Sequence, residues 1–363
     1  MAITLARLDE TTRPGLEQLL AYAWDSSWDS NLGRALVRWR YDEKPPGGDT
    51  WLAFDGTQCV ALLDTFVRPY LLDSSPINVR ETCDWFCLPR YRPLGIGISL
   101  MRRAMACPEP LFLSGGSAAT LALVPRLRWT RIPEVQKWVL PILARSLVGT
   151  GLRLRWPGHE RLAKAIPGFM PLRSLRRPSP PGGDARVREW HAGLPPPMPM
   201  PRRAGLVQLL SPDDLAWFAA MPPELAQPLG LTFTLDGEPV GFSLSQLESA
   251  ASGIDACIVH LQLARDDLPL ANWVVAETVA RLAARGAGII RCCASSEAKV
   301  AALQMAGFVA RKPHLGHWWS KQSLPAPVQI DAGYLRADDS LPFPALRERY
   351  RGMRSGSPLA APA

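Results

Sequence analysis

Between Asp84 and Arg103 the chain reads Asp-Trp-Phe-Cys-Leu-Pro-Arg-Tyr-Arg-Pro-Leu-Gly-Ile-Gly-Ile-Ser-Leu-Met-Arg-Arg. An apolar β-type run passes into a short loop with glycines at 95 and 97, and a helical pattern starts at once. Such a junction aims backbone N–H groups and a helix N-terminus at one spot, and small residues let a bulky anion approach the main chain. The chemistry expected there is capture of a pyrophosphate. The spacing is not that of a dinucleotide-binding turn, which needs a third glycine where Leu100 stands, nor of a P-loop, which needs Gly-Lys-Ser/Thr. Cys83 and Cys87 lack a second ligand pair at zinc spacing, so no metal is expected. They also lack the base that a nucleophilic thiol needs, since no histidine precedes His159, and core packing is the better reading. His260 lies in an apolar strand pattern and reads as a satisfied interior histidine, and His314-Leu-Gly-His317-Trp-Trp reads as core or interface. No Ser/His/Asp triad has a convincing context.

The elements that must hold this loop follow in order. A strand (Ile3 to Leu8) leads to a helix opened by Thr12 and Pro14, because proline is tolerated at the first helical position. A second helical segment, Asn31 to Trp39, precedes a hairpin turned at Asp55-Gly56. A long strand (Ile77 to Leu88), the loop, a helix (Ile98 to Ala106), a short strand (Leu111 to Leu113) and a helix from Ser117 follow. The order then recurs: a strand at Val207 to Leu210, a helix at Asp213 to Ala220, and a hairpin turned at Asp236-Gly237. A long strand at Ile254 to Leu263, a helix at Leu270 to Arg285, a strand at Gly288 to Arg291 and a helix at Ser296 to Ala306 complete it. Two copies of one α/β unit is the economical reading.

A chain of 363 residues with 47% hydrophobic content can bury one large core or two ordinary ones. Its net charge of +8 is unevenly placed: residues 1–144 carry 16 basic and 15 acidic side chains, residues 145–203 carry 12 and 3, and residues 204–363 carry 13 and 15. Eight prolines between Pro178 and Pro201 fall inside the basic segment, which therefore reads as an extended connector. Seven scattered cysteines, an odd number, favour reduced thiols over a disulfide framework, and no apolar run is long enough for a membrane span. The start of the chain lacks a secretory pattern, so a cytoplasmic protein is expected.

Leu88-Pro89-Arg90-Tyr91-Arg92-x-x-Gly95-x-Gly97 resembles the acyl-CoA loop of the GNAT acyltransferase superfamily, whose pattern is Arg/Gln-x-x-Gly-x-Gly/Ala after a strand commonly ending in Pro-x-Tyr. The resemblance extends from residue 3 to about 140. A second, degenerate copy runs from Val207 to about Lys321, carried by Leu235-Asp-Gly-Glu-Pro-Val-Gly241 and Ala302-Leu-Gln-Met-Ala-Gly-Phe308. Its loop, Ala264-Arg-Asp-Asp-Leu-Pro, has no glycine and carries two acids. The resemblance implies an α/β (α+β) fold of two GNAT-like units, each a mixed, mainly antiparallel twisted sheet flanked by helices. The implied organisation is a coenzyme-binding unit at 1–144, a basic connector at 145–203, a degenerate unit at 204–323 and a tail at 324–363.

By the same resemblance, main-chain groups of Cys87 and Leu88 hold a pantetheine arm, and Arg92, Leu94, Gly95, Ile96, Gly97 and Ile98 hold the pyrophosphate of acetyl-CoA or another acyl-CoA, Pro93 having no N–H to offer. The implied activity is N-acyl transfer by direct attack of an amine acceptor, a small molecule or peptide, in a ternary complex. The tyrosine that often serves as acid in the family is absent: its position falls on Val124, and on Leu303 in the second copy. Tyr41, Tyr70 and Tyr91 are candidate replacements. Glu81, on the long strand where a relative's base can sit, is the first candidate base. Asp84, placed on the other strand face by alternation, is the second. Trp24, Trp28 and Trp39 lie in the region that walls the acceptor pocket in the family. Two other readings stand beside this one: an aminoacyl-tRNA-dependent transferase, through which alone RNA would be a partner, and a coenzyme-binding sensor without catalysis. DNA is not an expected partner, and oligomeric state is not legible.

Overall fold

The computed structural model describes residues 2–24, 30–156, 159–167, 171–172, 178–190, 196–250, 253–321 and 329–333. The first half runs β1 (Ile3–Arg7), α1 (Arg13–Trp24), α2 (Ser30–Val37), a π-helical turn at Arg38–Asp42, β2 (Thr50–Asp55), β3 (Gln58–Leu72), β4 (Ser75–Cys87), α3 (Ile96–Met105), β5 (Leu111–Ser114), α4 (Ala118–Leu123) and β6 (Thr130–Pro141). After α5 (Ala144–Arg155) and β7 (Ala185–Trp190) come β8 (Leu206–Gln208), α6 (Pro212–Ala219), β9 (Gln227–Leu235), β10 (Glu238–Ala250), β11 (Gly253–Leu263), α7 (Leu268–Ala284), β12 (Ala287–Cys293), α8 (Glu297–Met305), β13 (Val309–Trp319) and β14 (Ile330–Asp331). Both Asp-Gly pairs turn hairpins as expected. Gly56 has φ +60°, and Asp236 and Gly237 have φ +51° and +84°, the left-handed conformations that such turns require.

One sheet runs through the whole molecule in the order β1-β2-β3-β4-β5-β13-β6-β12-β11-β10-β9-β7. The two halves exchange their closing strands. β13, from the second half, pairs antiparallel with β5 of the first, while β6 pairs antiparallel with β12 of the second. The exchanged strands also pair with each other. β6 therefore feeds both apolar cores, Ile132 and Val135 packing with the first half and Trp138 and Leu140 with the second, while β13 adds Trp318 to the first. Neither β6 nor β13 was contained in the sequence reading.

Two further differences concern the middle of the chain. The stretch read as an extended connector holds α5 and also β7, an edge strand on β9. Its prolines flank that strand rather than interrupt it, so no ladder hydrogen bond is lost. β8, read as the first strand of the second unit, pairs instead with β3 at Tyr70–Leu72 and with β14. The reason is an open edge, since β2 covers β3 only from Gln58 to Asp64 and the far end of that long strand still needs a partner.

Candidate active site

β4 and β5 pair only at Arg80 with Leu111 and Glu81 with Phe112, after which β4 continues to Cys87 paired with β3 but not with β5. The two strands therefore splay. Cys87 lies opposite Ala61 of β3, and the flanking bond runs from Leu88 N–H to Val60 C=O at 2.9 Å, so the N–H and C=O of Cys87 itself face the splay. The Cys87 carbonyl accepts from Arg92 Nε at 3.0 Å. Leu88 offers nothing to the splay, because its N–H is bound to Val60 and its C=O accepts from Tyr91 N–H. This departs from the implied role of Leu88 and follows from the alternation of ladder bonds.

A tight turn, Pro89–Leu94, carries the chain to Gly95, which has φ +71° and starts α3 without any capping side chain. The first N–H groups of a helix have no intrahelical acceptors, so Ile96, Gly97 and Ile98 present donors at the positive end of the helix dipole. Gly97 is a close approach: a Cβ there would lie 3.1 Å from Trp85 Nε1, which donates to the Gly97 carbonyl at 2.9 Å. Tyr91 braces the loop, its hydroxyl donating to Asp55 at 2.9 Å while Arg90 stacks on its ring. Burial pushes the Cys87 thiol pKa up, against the Gly97 N–H that faces it, so this cysteine is a poor nucleophile.

Glu81 and Asp84 lie on one face of β4, and Tyr41 reaches Asp84 from the π-helical turn. Glu81 is buried, with Arg68 and Tyr70 donating to its carboxylate and Gln208 Nε2 donating at 2.6 Å. Arg68 also binds Asp214 of α6 at 2.9 Å. Both oxygens of Glu81 are thus engaged by three donors. Asp84 belongs to a different set: it accepts from Tyr41 Oη at 3.0 Å and pairs with Arg40 at 3.3 Å. The strand alternation that put Asp84 opposite Glu81 fails because Asp84 has φ +45° at a β-bulge, where the register shifts between Leu62 and Asp64. The extra residue turns its carboxylate onto the face that carries Cys83 and Asp64. Burial first, then Asp84 and Asp64, raises the Tyr41 pKa well above 10, so its proton is kept. Burial pulls the Arg40 pKa down, but Asp84, Cys83 and Asp64 outweigh it and the net shift is upward, so the guanidinium keeps its charge. Asp64, Cys83 and Asp84 bring ligand-type atoms within 4.8 Å of one another, yet Lys44 and Arg40 already compensate the two carboxylates.

The second half covers this face. Trp217 of α6 stacks on Trp39 at 4.5 Å, and each indole N–H donates to the other residue's carbonyl, at 2.9 and 2.8 Å. The guanidinium groups of Arg40 and Arg68 lie over the Phe66 ring, at 5.0 and 4.5 Å from its centre. Trp39 therefore does stand over the strand face, whereas Trp28 lies outside the described residues.

β11 and β12 splay in the same way, parting after Ile258 and Cys292 while β11 continues to Leu263. Here the chain fills the gap itself. Lys299 Nζ donates to the Leu261 carbonyl and pairs with Asp331, each at 2.6 Å. Gln262 donates to the Pro199 carbonyl, and Arg202 N–H to that of Ala264. Gly333 passes so close to the Val259 carbonyl that any side chain would collide. The helix that follows is capped by its own carboxylate, Asp267 accepting from Leu270 N–H at 2.9 Å. Burial, then Lys299, pulls the His260 pKa down to about 4, which matches an interior neutral histidine.

No protein-family model matches the chain, and no curated protein matches it. Solved structures do. A GCN5-related N-acetyltransferase from Anabaena variabilis superposes with a TM-score of 0.52 at 11% identity, over 87% of this chain and 72% of the other. A tandem GNAT protein from the clavulanic acid biosynthesis pathway gives 0.51 at 15% identity, over 89% and 99%. The chain has the GNAT fold, in two copies. The N-myristoyltransferase of Saccharomyces cerevisiae, solved with myristoyl-CoA bound, gives 0.53 at 10% identity, over 87% and 82%. In this GNAT fold the glycine loop and its uncapped helix belong to the first copy alone. Arg40, Arg68, Gln208 and Asp214 were not legible as site residues, because each acts through a partner between 13 and 146 positions away.

Proposed function

We propose that the protein is an acyl-CoA-dependent N-acyltransferase whose first copy binds the coenzyme. The observation that carries this reading is the uncapped N-terminus of α3 behind Gly95, at the end of β4 that has parted from β5. The amides of Ile96 to Ile98 would hold the pyrophosphate, with Leu94 and Arg92 flanking it, and the main chain of Cys87 would receive the pantetheine arm once Arg92 releases its carbonyl. When bound, the coenzyme supplies a thioester whose carbonyl carbon an amine can attack directly, acetyl being the default acyl group.

Asp84 lies on the stretch of β4 that has parted from β5 and is our candidate for accepting the ammonium proton. Tyr41, protonated through neutral pH, orients it by donating to it, and Arg40 balances its charge. We prefer Asp84 to Glu81 in this role, because the donors on Glu81 lie at 2.5 to 2.6 Å and those on Asp84 at 3.0 to 3.4 Å, a looser hold. A thiol-release assay across acyl-CoA donors and amine classes tests the proposal. Amine-dependent release is expected, reduced about 100-fold in Asp84→Asn with coenzyme binding retained. No release with any pair would overturn the catalytic reading. A second reading, a coenzyme sensor, is favoured by the buried acceptor face under Trp217. It is distinguished by thermal stabilisation with acyl-CoA and no thiol release.

A further inference from the structure

The segment from Ala144 to Leu172 leaves the sheet and returns to its starting point. α5 rises from the end of β6, a short helical turn at Glu160–Ala165 packs on it, and Leu172 N–H comes back to the Ile142 carbonyl at 2.7 Å beside a Leu143–Pro171 bridge. The helix has its faces reversed. The side against the sheet carries Ala144, Ser146 and Gly149, and Ser146 fits only because residue 288 is glycine. Leu147 and Val148 point outward, each 41% exposed, and Trp156, Leu162 and Leu172 are 58%, 64% and 42% exposed. A surface helix normally buries its apolar stripe, so this inversion calls for something outside the chain to cover it.

Charge says what that something is. From Arg145 to Arg177 the sequence holds eight Arg or Lys and one acid, Glu160, and Arg155 and Lys164 are exposed among the apolar residues. A second copy would bring the same positive charge and be repelled. RNA would satisfy the arginines but gains nothing from leucine and valine. An anionic lipid surface satisfies both sets, since apolar side chains and tryptophan enter the headgroup boundary while basic residues meet lipid phosphates. We propose that the exposed face carrying Leu147, Val148, Arg155, Trp156, Leu162 and Lys164 docks the protein peripherally on an anionic membrane surface. No helix among the described residues is long and apolar enough to cross a bilayer, so the attachment is to the surface.

Vesicle flotation of the full chain tests this, with phosphatidylcholine mixed with phosphatidylglycerol against phosphatidylcholine alone. At least about 10-fold preference for the anionic vesicles is expected, weakened by salt. Two variants, Leu147→Ser/Val148→Ser/Trp156→Ser and Arg155→Glu/Lys164→Glu, are each expected to lower binding about 10-fold, with circular dichroism confirming the fold. Equal flotation on both vesicle types, or flotation unchanged in both variants, overturns the proposal. So does capture of polyuridylate, or dimerisation, by a chain that ignores vesicles.

Discussion

The two splays of this molecule have the same strand geometry and opposite chemistry. In the first, β4 runs on past β5 to Cys87, a tight turn leads to Gly95 with positive φ, and the next helix opens without a capping side chain. In the second, β11 runs on past β12, but Lys299, Gln262 and the segment around Asp331 bond into the gap, and Asp267 caps the helix. A helix N-terminus attracts an anion only while its amides are unsatisfied. The fold alone therefore does not make a coenzyme site. What the lesson isolates is the cap and the filling, both set by a few residues.

Breaking the filling of the second splay should have the largest effect on stability. Lys299→Met strips Asp331 of its closest cation, leaving Arg203 at 3.1 Å, and is expected to cost roughly 3–5 kcal/mol in chemical denaturation, with coenzyme affinity unchanged. Acquisition of a second coenzyme site by this variant would break the comparison. His260 gives a pH signature in the same region, where Lys299, Asp331 and Asp214 act on its ring. Its pKa is lower in the folded chain than unfolded, so its contribution is full above about pH 6.5 and is lost as pH falls towards 4. The loss should be on the order of 3 kcal/mol, absent in His260→Gln, and is read from denaturation curves across that window. In the first half, Tyr41→Phe should lower kcat about 10-fold, ~1.4 kcal/mol, while leaving the KM for acyl-CoA in place. The smallest effect is expected from Asp267→Ala, about 1 kcal/mol of stability for a lost helix cap and no new affinity for acyl-CoA.

Much of the fold was legible. The Asp55-Gly56 and Asp236-Gly237 turns, the strand-loop-helix junction at Gly95 and the order of helices other than α5 all follow from local pattern. The strand exchange was not, because period-two alternation says which face a residue takes and nothing about which strand lies beside it. β6 and β13 also carry Pro133 and Pro313, which disguise them as loops. The face of Asp84 was misread for a related reason: one extra residue at the bulge inverts the alternation, and only the paired register reveals it. The Gln208 contact of Glu81 was invisible because that residue sits 127 positions away and comes in on β8, a strand read as part of the second unit.

The most direct test is calorimetric titration of acyl-CoA into wild type, Gly95→Glu and Lys299→Met. The account calls for one coenzyme per chain, lost by at least about 100-fold in affinity in Gly95→Glu, where a carboxylate would face the phosphates, and unchanged in Lys299→Met. Two coenzymes per chain, none, or binding that survives Gly95→Glu would contradict it.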